Sequence, residues 1–513
     1  MPDAALEFAL SPDDLAKLIK LPFVTRTSRA AAVTTLWHDT PDGALAARAL
    51  ALSEQRGHWR LEALRPTASR PWPPGGPAPL VAEGASPTSL HHSLPDGLAP
   101  IAALRGRRME FTMRLQGWPR NSAAVETNAD APAVNALAVD APAVDALAES
   151  VRLTVLNGQL RGVAAEQPTC RLLLQGDARL LKPLAVELAG TLRLSVPRAG
   201  LAAAAAAVAR GNEPAPRYEG PPATTPGLHL TDNVAVLIGQ LLDTMLHWSA
   251  GAGAGVTPVP VHQMRVATRR LRSALTVLKR VAAFPDLAPL STALRDTAAR
   301  LGAARDWDVF LGGTAERIAA AFPDDPRVRA LLSAARRRRH AAYAELRAHL
   351  ASTAFRELEV GLACACVLRP WDSEGTPDPR LQQDTVVFAG MALDHQMKRV
   401  RRAGRGLSSL PIEAMHELRK DCKRLRYTAE FFLPLFPDKS ARRFIKQLAA
   451  LQEELGALND GAVASGLMAH LGRSERSYAA GLVEGFVAAG AMASRAQVSA
   501  AWKRFRKTPT FWA

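Results

Sequence analysis

Val261–Leu275 reads VHQMRVATRRLRSAL, and Met415–Ala429 reads MHELRKDCKRLRYTA. Both follow one pattern: apolar, His, any residue, apolar, Arg, three residues, two cations, Leu, Arg. His262 and His416 stand 154 positions apart. A second pair keeps the same offset: LGAARDWDV at Leu301–Val309 and LGALNDGAV at Leu455–Val463, so that Leu301 matches Leu455, Gly302 matches Gly456 and Asp306 matches Asp460. Two landmarks in constant register imply a duplicated unit.

An α-helix turns about 100° per residue, so positions i, i+3, i+7 and i+10 share a face. His262, Arg265, Arg269 and Arg272 occupy those positions, with Arg270 and Arg280 widening the basic side. Met264, Ala267, Leu271, Leu275 and Leu278 fall opposite and are predicted core. The second row is His416, Arg419, Lys423 and Arg426, flanked by Lys420 and Arg424, with Leu418, Leu425, Ala429 and Phe432 as its buried stripe. At 1.5 Å per residue each row runs roughly 15 Å. No acid occurs from Val261 to Val281, and Glu417 and Asp421 lie off the second His/Arg face. Four uncompensated like charges over that length suit an extended anion better than a single phosphate. Arginine favours such a role because its fork takes phosphate oxygens in bidentate fashion. Each histidine is placed at the N-terminal turn of its helix, where the dipole lowers its pKa and a bound phosphate chain would raise it. Lys398 and Arg402, with Arg399, Arg401 and Arg405, precede the second row, and Arg336–Arg339 and Lys503–Lys507 are further basic runs. Gly302 and Gly456 are read as sites of close helix packing or as helix ends. Asp306 and Asp460 are read as caps of the next helix or as partners that orient an arginine.

The bulk composition agrees. The 513 residues carry a formal charge of +16. From Pro226 onward there are 41 Lys and Arg against 27 Asp and Glu, so most of the excess lies in the C-terminal half and points to a polyanionic partner there. The four cysteines fit no zinc or redox spacing and read as buried thiols in a reducing cytosol. No signal peptide is apparent, and Ala202–Ala207 is too short to span a bilayer, so a soluble cytoplasmic protein without membrane contact is expected.

Residues 1–210 read as strands and loops, with strands near Ala31–Leu36, Glu110–Leu115, Val151–Leu156 and Arg171–Leu174 and a helix at Leu180–Ala189. Disordered insertions are expected at about 66–100 and 122–149, the second holding a decapeptide repeat (DAPAVNALAV, DAPAVDALA). Residues 211–227 are a linker by composition. Residues 228–510 are helical, with Thr231 capping a first helix through Trp248, a Gly/Pro loop at 251–260, and ten further helices at about 261–283, 287–303, 306–321, 326–350, 353–367, 379–404, 412–434, 439–457, 460–471 and 475–506.

The paired His-x-x-Arg and Leu-Gly-x-x-x-Asp segments resemble the CHAD domain, the conserved-histidine α-helical domain, over residues 228–510. The resemblance implies two pseudo-symmetric four-helix bundles that bind inorganic polyphosphate on a basic surface, with recruitment to polyphosphate granules. Carried onto this sequence, the site comprises His262, Arg265, Arg269, Arg270, Arg272, His416, Arg419, Lys420, Lys423, Arg424 and Arg426, to which Lys398 and Arg402 are added.

CHAD domains often follow a CYTH domain, the triphosphate tunnel fold, and residues 1–210 are similar to it in outline. His38-Asp39-Thr40-Pro41-Asp42 resembles that family's aromatic-Asp-Thr-Pro segment. The resemblance implies an antiparallel β-barrel whose inward acids hold Mg²⁺ or Mn²⁺ and whose inward cations hold triphosphate. The sequence departs from it: the opening Glu-x-Glu-x-Lys aligns with Ala5–Ala9 and leaves only Glu7, the Arg-x-Arg strand aligns with Ser53-Glu54-Gln55, and the late acidic strand aligns near Cys170-Arg171-Leu172. One carboxylate cannot organise Mg²⁺, so the expectation is a decayed tunnel acting as scaffold, no catalytic residue and no cofactor. The fold expected is therefore α+β in two domains. Its expected function is polyphosphate binding. The alternatives are a metal-dependent triphosphatase fed by the helical half, and nonspecific nucleic-acid binding. Base readers add Asn, Gln or aromatic side chains that the rows largely lack. The sequence leaves the oligomeric state open.

Overall fold

Alternating burial along the N-terminal segments gives strands with one apolar face each, and these assemble into one antiparallel sheet. The computed structural model describes residues 4–67, 70–113, 151–218, 220–279, 287–372, 381–471 and 473–512. The chain divides into two units, Met1–Tyr218 with Arg356–Pro370, and Glu219–Phe355 with Trp371–Ala513.

In the first unit the elements are β1 (Ala4–Ala9), α1 (Pro12–Leu18), β2 (Val24–Arg26), β3 (Ala31–Asp39), α2 (Ala44–Ala47), β4 (Leu50–Gln55), β5 (His58–Ala63), β6 (Leu80–Gly84), β7 (Ala99–Met113), β8 (Arg152–Gly162), β9 (Glu166–Gly176), α3 (Ala178–Thr191) and α4 (Leu201–Arg210). The nine strands run in the order β1-β9-β8-β7-β3-β4-β5-β6, with β2 paired to β7. The sheet curls into a half-barrel: Glu7 on β1 and Glu62 on β5 sense each other's charge although five strands lie between them in the sheet. The inner face carries Val33, Trp37, Ala51, Leu104 and Leu160, and the alanine helix α4 packs on it through Ala202, Ala204, Ala205 and Val208. The stretch 66–100, expected as a disordered insertion, instead holds β6, a 3₁₀ turn at Pro87–Leu90 and the start of β7. Its Pro, Gly and Ala content suits a loop by composition, whereas β6 pairs with β5. The expected insertion at 122–149, with its repeat, lies outside the described residues, as does Arg280.

The second unit is helical: α5 (Leu230–Ala254), α6 (Pro258–Leu278), α7 (Ala288–Phe310), α8 (Glu316–Ala321), α9 (Pro326–Leu350), α10 (Thr353–Leu368), α11 (Thr385–Ala403), α12 (Ile412–Phe432), α13 (Lys439–Met468) and α14 (Arg473–Arg506). From Arg356 on, α10 belongs to the first unit. Asp325 and Asp384 start α9 and α11 by accepting from the backbone N–H of Arg327 and Val386, satisfying otherwise orphaned donors.

Several expected boundaries move. Thr231 is inside α5, whose N-cap is His229, and the helix continues to Ala254, so the loop before α6 shrinks to three residues, 255–257. The predicted break between 303 and 306 is absent: α7 runs unbroken to Phe310 and passes through a π turn at Leu311–Ala315. The break predicted at 457–460 is likewise helical, inside the single 30-residue helix α13. Gly302 and Gly456 are therefore mid-helix positions, for a reason that lies in the site.

Candidate functional site

The two rows sit as their spacing requires. On α6, Val261, Met264, Ala267, Leu271, Leu275 and Leu278 are buried, while His262 and Arg272 are exposed and Arg265, Arg269 and Arg270 are half-buried. On α12, Leu418, Leu425, Ala429 and Phe432 are buried in the same way, and His416, Arg419, Lys423, Arg424 and Arg426 are half-buried on the other side with Lys420 exposed. Full burial of each leucine contributes about 1.5–3 kcal/mol. That apolar stripe fixes the rotation of each helix and so the direction of its cations.

Gly302 and Gly456 make room for the first arginine of each row. A Cβ at 302 would stand 2.5 Å from Nη1 of Arg265, and one at 456 would stand 3.4 Å from Nη2 of Arg419. Glycine inside a helix costs about 1 kcal/mol relative to alanine. Here it lets a guanidinium lie across the neighbouring helix. Asp306, one turn beyond Gly302, pairs with Arg265 at 3.6 Å. Of the two roles expected for this aspartate, orienting an arginine is the one observed. The side chain of Asp460 is not among those described.

The rows are joined to each other. Nε of Arg269 donates to the hydroxyl of Tyr427 at 2.7 Å, and the guanidinium groups of Arg269 and Arg270 both lie 5.4 Å from the centre of the Tyr427 ring. Nη2 of Arg270 donates to Glu430 at 2.6 Å, and Nε of Arg426 donates to the other oxygen of the same carboxylate at 2.7 Å. α6 and α12 are thus stitched along one seam. The expectation of an uncompensated first row is corrected: its acids come from other helices, Asp306 on α7 and Glu430 on α12. On the second row Lys420 pairs with Glu417 at 2.8 Å, and Arg424 and Arg399 share Asp421 at 2.9 Å each. These carboxylates hold the cations in place without matching their number.

A third cation row went unread in the sequence. Arg295 and Arg305 on α7 are ten residues apart and so share a face. Partial burial, then the charges of Arg305, Arg269 and Arg265, hold His262 below the ordinary histidine value. Arg272 is depressed by burial and by Arg295 and Arg424. α7 therefore runs beside α6 with a cation near each end of its row. His262 is the fifth residue of α6 and His416 the fifth of α12. Helix dipoles fade beyond the first turn, so partial burial and then the neighbouring arginines, not the helix end, set the His262 shift. Lys398 and Arg402 are exposed on α11.

In the first unit Asp39 turns out to be structural. Its carboxylate accepts from the backbone N–H of Thr40 at 2.8 Å, Leu45 at 2.8 Å and Ala46 at 3.2 Å, capping α2. Glu7 pairs with Arg171 at 3.4 Å. Glu62, missed in the sequence, shares the inner face with Glu7. Burial pushes it up to about 7; the charge of Arg60 opposes this, and that of Glu7 adds to it. One carboxylate engaged by Arg171 and one whose burial resists ionisation do not make a Mg²⁺ or Mn²⁺ donor set. No group of three His, Cys, Asp or Glu suited to a metal occurs among the described residues. Part of the inner face is apolar and covered by α4, and the strand register places Arg60, Arg108, Arg152 and Arg171 on that same face. All four cysteines are free and buried, and no helix among the described residues is long and apolar enough to cross a membrane.

A family model described as the CHAD domain matches residues 236–469. Uncharacterized proteins from two strains of Mycobacterium tuberculosis are each 29% identical over 209 residues, covering 39% of this chain and 39% of theirs. The chain thus spans well under half the length of the curated relatives it matches. Among solved structures, the CHAD domain from the plant Ricinus communis is 28% identical, covering 57% of this chain and 99% of that one at a TM-score of 0.48. PptA from Streptomyces chartreusis is 14% identical, covering 55% and 99% at 0.39. HpAC1 from Hippeastrum, described as having a dominant triphosphatase activity, is 12% identical, covering 42% and 100% at 0.24.

Proposed function

Residues 236–469 form a CHAD domain, and from that premise we propose that the helical unit binds inorganic polyphosphate along the joined rows of α6 and α12. The observation that carries the reading is the seam itself. His262, Arg265, Arg269 and Arg272 on one helix and His416, Arg419, Lys423 and Arg426 on the other are held side by side by Tyr427 and Glu430. Two fixed lines of cations match a flexible linear anion that has no bases to read. Binding is by neutralisation with release of counterions, so affinity falls steeply with salt. Polymer capture of this kind brings the protein to polyphosphate granules in the cytoplasm. The first unit acts as a scaffold: α4 and apolar side chains occupy part of its inner face, and Glu7 and Glu62 do not form the donor set for the metal that triphosphate hydrolysis needs.

Titration calorimetry with long-chain polyphosphate and with duplex DNA, each at two ionic strengths, tests this. Polyphosphate is expected to bind more tightly than DNA at both, with a steep salt dependence. Equal or tighter binding of DNA would assign the surface to nucleic acid instead, and phosphate release from triphosphate with Mg²⁺ would contradict the scaffold reading.

A further inference from the structure

α11 presents a second basic surface. Leu393, Met397 and Val400 are buried in the bundle core, so the opposite side of the helix faces outward. Lys398, Arg401, Arg402 and the following Arg405 fall within about 100° of arc on that side, and all four are exposed. On one flank Arg399 reaches across to Asp421 at 2.9 Å, the carboxylate that also holds Arg424 of the α12 row. On the other flank Gly404 packs directly on the ring of Trp502, where a Cβ would collide. That contact brings the last turn of α14, with exposed Lys503, Arg504, Arg506 and Lys507, to the end of α11. Nη1 of Arg495 adds a bond to the carbonyl of Ser408 at 3.4 Å.

Eight cations thus form a strip from the α12 row to the end of α14. Their side chains make no hydrogen bond or ion pair among the described residues. A helix C-terminus favours a cation in its last turn by about 0.3–1 kcal/mol. This explains Arg401 or Arg506. It does not explain Lys398, more than a turn inside α11, or Arg405, beyond its end. The strip along α11 alone is about 10 Å long.

We propose that this strip is a second contact surface for the same polymer, taken up by chains long enough to leave the α6–α12 rows at Arg424 and cross Arg399. The inference rests on the polyphosphate reading and adds chain-length selection to it. A short chain is held by the rows alone; a long one gains the strip.

The test compares wild type, a strip variant (Arg401→Gln, Arg405→Gln, Lys503→Gln, Lys507→Gln) and a row variant (Arg269→Ala, Lys423→Ala), each checked for folding by circular dichroism. The probes are tripolyphosphate and long-chain polyphosphate. The strip variant is expected to bind tripolyphosphate as wild type does. It should bind long chains roughly tenfold more weakly, with the slope of log affinity against log salt reduced by about 3. Unchanged long-chain binding, or an equal loss for both probes, would overturn the strip. A row variant that binds both probes like wild type would instead sink the underlying reading and leave the strip without a polymer to extend.

Discussion

Arg270 on α6 donates to Glu430 on α12 at 2.6 Å, and the two side chains are only 19% and 14% exposed. A carboxylate that far out of water, shared with Arg426, holds the two basic helices at a fixed separation. Removing one partner of a charged pair at this depth costs about 1–3 kcal/mol. Glu430→Gln is expected to lower the melting temperature by several degrees. Polyphosphate should then raise the melting temperature of the variant more than that of wild type, because phosphate oxygens replace the lost acceptor. Differential scanning calorimetry with and without polymer reads both effects; equal ligand shifts would place the polymer away from the seam.

Gly302 and Gly456 separate packing from charge. Alanine at 302 would push the Arg265 guanidinium off its place beside Asp306, whereas at 456 the clearance to Arg419 is 3.4 Å and the neighbour need give little. Gly302→Ala is expected to weaken polyphosphate binding severalfold with small loss of stability, since alanine itself favours helix by about 1 kcal/mol. Gly456→Ala should bind within twofold of wild type, by order of magnitude. Equal losses from both, measured by calorimetric titration, would mean that the close approach to Arg265 does not matter.

His262 makes binding depend on pH. Its free-state pKa lies below the ordinary histidine value because of burial and three neighbouring arginines, and a polyanion would raise it. Protonation linked to binding strengthens affinity as pH falls toward the free-state pKa and has no effect above the bound-state value. Wild type should therefore bind more tightly near pH 6 than near pH 8, with proton uptake visible as a buffer-dependent enthalpy. His262→Gln should lose most of that difference. A variant with the full pH dependence of wild type would exclude this histidine as its source.

Glu359, on the part of α10 that belongs to the first unit, governs a different pH response. Burial pushes its carboxyl up from 4.5 to about 8 despite the charges of Arg198 and Arg356. Between those values the folded chain keeps a proton that the unfolded chain has lost. Stability is therefore fully present at low pH and declines as pH rises through this window. Glu359→Gln is expected to raise the melting temperature near pH 9 and change it little near pH 5. A variant equally shifted at both would show that Glu359 stays ionised in the fold.

The rows were legible in sequence because 3.6-residue periodicity places cations and leucines on opposite faces without reference to any other helix. The CHAD assignment followed from two motifs in one register. Tyr427 and Glu430 were not legible as a seam, since their partners Arg269 and Arg270 stand about 160 positions away. Within α12 alone, Glu430 reads as a local i+4 partner of Arg426. Gly302 and Gly456 read equally as helix ends because glycine punctuates helices; the arginine that fills each gap comes from another helix. Glu62 carries no motif signal of its own, because only curling of the sheet brings β5 and β1 together. Arg295 and Arg305 carried a readable signal, a ten-residue spacing, but no acid-free run drew attention to them.

The central claim is that both rows grip one polyphosphate chain. The most direct measurement is the affinity of a folded His262→Ala, Arg269→Ala, His416→Ala, Lys423→Ala variant for long-chain polyphosphate at fixed low salt. Loss of at least tenfold relative to wild type, roughly what removal of several phosphate contacts implies, is the expected result. Binding equal to wild type, with circular dichroism showing an intact helical unit, would contradict the account.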